Sequence, residues 1–155
     1  MTTTTTDRIE RQILLRAPRA RVWRAITNFK EFGTWFQCVF HDPFEPSATI
    51  KGRITYPGYE HLTIEIVVEK MEPERLFSYR WHPNVKIEPG VDYSKEPTTL
   101  VEFTLEEVEG GTLLKLVESG FDRVPIERRA EALKSNERGW TGQMSAIERY
   151  LQSNP

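Results

Sequence analysis

The sequence predicts an α+β fold: a curved antiparallel sheet of about seven strands wrapped around a long C-terminal helix, with two short helices after strand one. Three observations carry this. An extended opening segment is broken at Pro18 and followed by a short amphipathic stretch. The middle of the chain is a series of alternating segments separated by turn signals. Apolar residues then recur at spacings of three and four up to Leu151.

The elements follow in order. Residues 1–7 are threonine-rich with almost nothing apolar to bury, and are expected to be a disordered tail ahead of a single domain at 8–152. Ile9, Ile13 and Leu15 share one parity, which sets Arg11 between them on the inner face of strand one. Pro18 suits the start of a helix carrying Val22, Ile26 and Phe29. Asn28 can cap a second helix bearing Phe32, Trp35 and Phe36. Strands two and three are expected at 36–41 and 48–56, a turn at Tyr56-Pro57-Gly58-Tyr59, and strand four at 61–71. Strand five, at 75–81, carries Phe77, Tyr79 and Trp81 on one face. Strand six, at 98–108, carries Val101, Phe103 and Leu105. Gly110-Gly111 turns the chain into strand seven at 112–120. The proline-containing loop 82–97 is long enough to cover a cavity mouth. The last helix should run from about 125 to 151 with one stripe of Ile126, Ala130, Leu133, Glu137, Trp140, Met144, Ile147 and Leu151. Gly139 and Gly142 flank Trp140, either for close packing against a strand, the expected reason, or to leave room for something bound.

Composition narrows the function. A net charge of −2 gives no broad positive field, so nucleic acid and anionic lipid surfaces are not expected partners. No segment has the apolar length of a membrane span, and the lone Cys38 excludes an internal disulfide, so the cytoplasm is the expected compartment. His41, His61 and His82 fall in no metal-ligating spacing, and Cys38-x-x-His41 is only a weak approach to one, so no metal is expected. Glu109-Gly110-Gly111-Thr112 is a hairpin with no helix behind it to cradle a phosphate, and no nucleotide, flavin or nicotinamide cofactor is expected.

Ala17-Pro18, Val22-Trp23-Arg24-Ala25-Ile26-Thr27, Trp35-Phe36, Thr112-Leu113-Leu114-Lys115-Leu116 and Gly139-Trp140 occur here in that order. With the element order, they make nearly the whole chain resemble the SRPBCC (START-like, helix-grip) superfamily. The branch it resembles is the one related to the C-terminal domain of the heat-shock protein 90 ATPase activator. The resemblance implies a deep apolar cavity between the curved sheet and the last helix, and makes strands one and seven neighbours.

Within that fold, strand parity turns Leu114, Leu116 and Glu118 inward. Arg11 and Glu118 could then meet across the strand pair, either to anchor a ligand's polar group or as an internal ion pair. The expected ligand-binding residues are Arg11, Trp35, Tyr79, Trp81, Phe103, Leu116, Glu118, Glu137, Trp140 and Met144. Tyr79 would offer one hydroxyl to a ligand or to nearby backbone. No catalytic residue is assigned. Three functions fit: a cytosolic binder of a small apolar molecule, aromatic or acyl; a protein-interaction domain acting on a chaperone; and a cyclase or dehydratase using Glu118, Glu137 or a histidine as acid or base.

Overall fold

The computed structural model describes residues 8–83 and 96–155. The expected tail and most of the expected loop, residues 84–95, lie outside the described residues. In chain order the elements are β1 (Arg8–Leu15), α1 (Arg19–Thr27), α2 (Phe29–Phe36), β2 (Cys38–Phe40), β3 (Thr49–Ile54), β4 (Thr63–Glu72), β5 (Leu76–Trp81), β6 (Thr99–Val108), β7 (Gly111–Ser119), a 3-10 turn (Phe121–Arg123) and α3 (Ile126–Ser153). The strands form one sheet in the order β1-β7-β6-β5-β4-β3-β2, every neighbouring pair antiparallel. β1 and β2 are consecutive strands at opposite edges, so α1 and α2 carry the chain across the sheet between them.

Period-two alternation decides which face is which. Ile64, Ile66 and Val68 of β4, Phe77 and Tyr79 of β5, Val101, Phe103 and Leu105 of β6, and Leu114, Leu116 and Glu118 of β7 are all buried. Against this concave face α3 sets Trp140, Met144, Ile147 and Leu151. The β6–β7 hairpin closes on Gly110 at φ 91° and Gly111 at φ 150°; a Cβ on Gly111 would lie 2.1 Å from the Leu15 carbonyl oxygen.

Three expectations are corrected. β2 starts at Cys38, because α2 continues through Phe36 and stops at Gln37 in the left-handed region with φ 66°. The buried stripe of α3 is not the expected one in its first half: Ile126 is 75% exposed and Ala130 and Glu137 are exposed, whereas Ala132 is buried. Counting back from Trp140 in fours gives Asn136 and Ala132, and those positions face the sheet. Gly139 and Gly142 do not allow close packing, since a Cβ at either would meet nothing within 4 Å.

The short helices are locked together by polar contacts. The Asn28 side chain accepts hydrogen bonds from the backbone N–H of Lys30 and Glu31, capping α2. Trp35 is buried and donates its indole N–H to the Ala25 carbonyl at 2.8 Å, so its place is the α1–α2 junction. Glu31 receives Arg21 at 2.8 Å, Arg24 at 2.9 Å and the Tyr150 hydroxyl at 2.7 Å, which ties α1 and α2 to the end of α3.

Burial pushes the Glu31 carboxyl up, but the hydrogen bonds from Tyr150 and Arg21 and the charges of Arg21 and Arg24 outweigh it and leave it below its ordinary value of 4.5. A lowered folded-state value means that the contribution of Glu31 is present above 4.5 and drains away as pH falls through the folded value. The stability gap between the wild type and Glu31→Gln should therefore be clear near neutral pH and close under acid. Urea denaturation across that range measures it; a gap independent of pH would contradict the assignment.

Candidate functional site

The site is organised by one carboxylate. Alternation along β7 turns Glu118 inward, where it is 0% exposed, and a buried carboxylate needs donors for its oxygens. Three elements, β5, β6 and α3, supply them. Glu118 Oε2 accepts the Trp81 indole N–H at 2.8 Å and the Thr99 hydroxyl at 2.6 Å, while Oε1 accepts the Trp140 indole N–H at 2.8 Å. The Asn136 amide donates to both oxygens, at 3.0 and 3.1 Å. All four partners are neutral donors. Trp81 and Trp140 stack with ring centroids 5.7 Å apart and planes inclined by 30°, and Phe36 meets both rings. The carboxylate thus pins the ends of β5, β6 and β7 to the middle of α3.

In front of these two indoles opens a pocket of about 440 Å³ between the β3–β4 hairpin and α3. Trp81, Trp140 and Phe36 form one side, and Ile54, Leu62 and Ile64 another. Tyr56, Tyr59, Thr63, Glu65, His82, Ser135, Asn136 and Gln143 add polar atoms, and Gly139 leaves the α3 wall without a side chain. His82 is fastened at the end of β5 by a 2.9 Å contact between its Nε2 and the Glu96 carbonyl oxygen.

Of the residues expected to bind a ligand, Trp81 and Trp140 line this pocket, and Glu118 lies directly behind them. The others lie elsewhere. Tyr79, Phe103 and Leu116 are fully buried and Met144 nearly so, all within the packed core between sheet and helix. Trp35 seals the helix junction. Arg11 and Glu118 do not meet: β1 and β7 are neighbours as expected, but Ile9 stands opposite Glu118 and Arg11 opposite Leu116. The Arg11 guanidinium reaches instead to Thr141 at 3.3 Å and Glu137 at 3.8 Å, a half-exposed pair on the outer side of α3.

The Tyr79 hydroxyl is not satisfied by nearby backbone among the described residues. It is fully buried and has no hydrogen-bond partner among the described residues. Burial, and then the charges of Glu118 and Cys38, hold that hydroxyl well above its ordinary range. Tyr79→Phe should therefore leave stability unchanged or raise it by up to about 1 kcal/mol. A loss above about 1 kcal/mol on urea denaturation would contradict this placement.

Residues that sequence reasoning missed at the pocket are Phe36, Tyr56, Tyr59, His82 and Asn136, together with Thr99 behind it. Tyr56 and Tyr59, both about half exposed, had one available signal: two aromatic rings in a turn otherwise built from Pro57 and Gly58. Asn136 carried none. Cys38 is buried, and burial pushes its thiol up to about 12, so no thiolate is available near neutral pH. Among the described residues no cluster of three or more His, Cys, Asp or Glu could hold a metal ion.

The family described as "Activator of Hsp90 ATPase homolog 1-like protein" matches residues 16–152. No curated protein matches the chain at a significant level. A protein from Mesorhizobium loti of solved structure superposes with a TM-score of 0.74 at 20% identity, covering 96% of this chain and 98% of its own. One from Staphylococcus saprophyticus gives 0.69 at 23%, covering 94% and 91%. The Aha1 dimer from Colwellia psychrerythraea gives 0.68 at 16%, covering 91% and 92%. At these identities the likeness is one of fold.

Proposed function

This chain belongs to the activator of Hsp90 ATPase homolog 1-like family, and from that premise we propose that it binds a small apolar molecule, aromatic or acyl, in the pocket beside Trp81 and Trp140. The observation that carries the reading is a pocket of about 440 Å³ whose two tryptophans each donate a hydrogen bond to a buried carboxylate, itself held by Thr99 and Asn136 as well. Its volume falls in the range of about 300–1,000 Å³ typical of small-molecule sites. Rigidity also favours binding, because a pre-formed wall loses little entropy when a ligand docks. As part of the same proposal the protein works in the cytoplasm, a placement supported by its single, buried cysteine.

Gly139 provides the test. An alanine there meets no atom and removes a flexible residue from a helix interior, so Gly139→Ala should stabilise the protein by about 0.5–1 kcal/mol and leave binding intact. Gly139→Phe projects a ring into the pocket from the same position and should abolish binding while the fold persists. Thermal stabilisation by a panel of aromatic and acyl compounds is the readout. Equal ligand responses in the wild type and Gly139→Phe would place binding elsewhere.

The family match itself supports a second reading, in which the domain contacts a chaperone of the Hsp90 kind. Its test is whether the purified protein changes the ATPase rate of such a chaperone. A change that survives Gly139→Phe would assign that activity to the surface rather than to the pocket.

A further inference from the structure

The charge around the pocket narrows what it would hold. Among the described residues no lysine or arginine lines it, so an anionic head group would find no cation on the described walls. Glu65 at the rim is an acid, half-exposed and loosely paired with Lys51 at 3.8 Å. Behind the aromatic side lies Glu118, fully buried, with no cation among its partners in the described residues, so its field is not cancelled locally. Both pocket indoles donate their N–H to that carboxylate. Such a hydrogen bond pushes electron density into the ring and makes its faces more negative.

Resting on the reading that the pocket binds a small molecule, we propose that its ligand is an organic cation: an aromatic or compact molecule bearing a methylated or quaternary ammonium. Among the described residues Phe36, Tyr56, Tyr59, Trp81 and Trp140 line the space, and aromatic faces attract cations through the ring quadrupole, tryptophan most strongly. A quaternary centre suits them better than a primary ammonium. It has no N–H to satisfy, and its methyl groups bury apolar surface against the same rings. A fatty-acid carboxylate meets the opposite conditions, with no lysine or arginine among the described lining residues and a buried carboxylate behind the wall.

Three probes of similar size and different charge test this: phenyltrimethylammonium, tert-butylbenzene and benzenesulfonate, titrated into the intact protein and followed by tryptophan fluorescence. The expected order is the cation tightest, by about tenfold or more over the neutral hydrocarbon, and the sulfonate weakest. The preference should persist in Glu65→Gln, because the charge that creates it lies behind the indoles. Equal affinity for the cation and the hydrocarbon, or tightest binding of the sulfonate, overturns the charge assignment while leaving a working pocket. Loss of the preference in Glu65→Gln overturns the role of the Glu118-polarised wall. Saturable binding by none of the three overturns the cation proposal and the pocket reading together.

Discussion

Glu118→Gln is expected to cost about 2–4 kcal/mol of stability despite being nearly isosteric. A carboxylate offers two oxygens that only accept, and each of them takes an indole N–H here: Trp81 on Oε2 and Trp140 on Oε1. Glutamine replaces one oxygen with an NH₂ group. Whichever way the amide is turned, that NH₂ faces an indole N–H, donor against donor, and no flip relieves it. Asn136, which donates to both oxygens, loses one of its acceptors as well. Urea denaturation reads the loss directly. A cost below about 1 kcal/mol would mean that the carboxylate does not organise this end of the molecule.

Trp140→Ala should be costlier still, at about 3–5 kcal/mol. Trp140 is 2% exposed, stacks on Trp81 and meets Phe103 and Phe36 edge-on. Truncation removes those contacts and leaves Oε1 of Glu118 short of a donor. Trp140→Phe keeps one aromatic ring and loses the N–H together with part of the indole's packing, so its cost should be smaller, at about 1–3 kcal/mol. Combined with Glu118→Gln it should be non-additive by more than about 0.5 kcal/mol, because both changes break the same hydrogen bond. Strictly additive losses would contradict the pairing.

Much of this arrangement was legible in the sequence, and particular residues show where legibility ends. Alternation has only two phases, so Leu114 and Leu116 in a strand fix Glu118 on the same face. The pairing of strands six and seven followed from the Gly110-Gly111 hairpin signal, and that of strands one and seven from the family resemblance. Helical phase is less decisive, because spacings of three and four both fit a stripe. From Trp140 the sequence allows Glu137 or Asn136 on the inner face, both are polar, and only the packing of α3 on the sheet selects Asn136. Arg11 was read onto the inner face of β1, but a long side chain need not end where its Cβ points, and this one leaves for Thr141 and Glu137. Parity says that Tyr79, Phe103 and Leu116 point inward, not whether space or atoms await them. Here atoms do, and the open volume lies instead beside the β3–β4 hairpin, whose Tyr56 and Tyr59 carry the signature of a turn rather than of a wall.

The central claim is that a small ligand docks against the two indoles held by Glu118. The chain has four tryptophans, so a heteronuclear NMR spectrum resolves four indole N–H signals. Two of them, from Trp81 and Trp140, sit at the pocket and point at the same carboxylate, while Trp35 donates to the Ala25 carbonyl at the helix junction and Trp23 lies away on α1. Titration with phenyltrimethylammonium should shift the Trp81 and Trp140 signals in a saturable way and leave those of Trp23 and Trp35 in place. Four unmoved signals, or shifts confined to Trp23 and Trp35, would contradict the account.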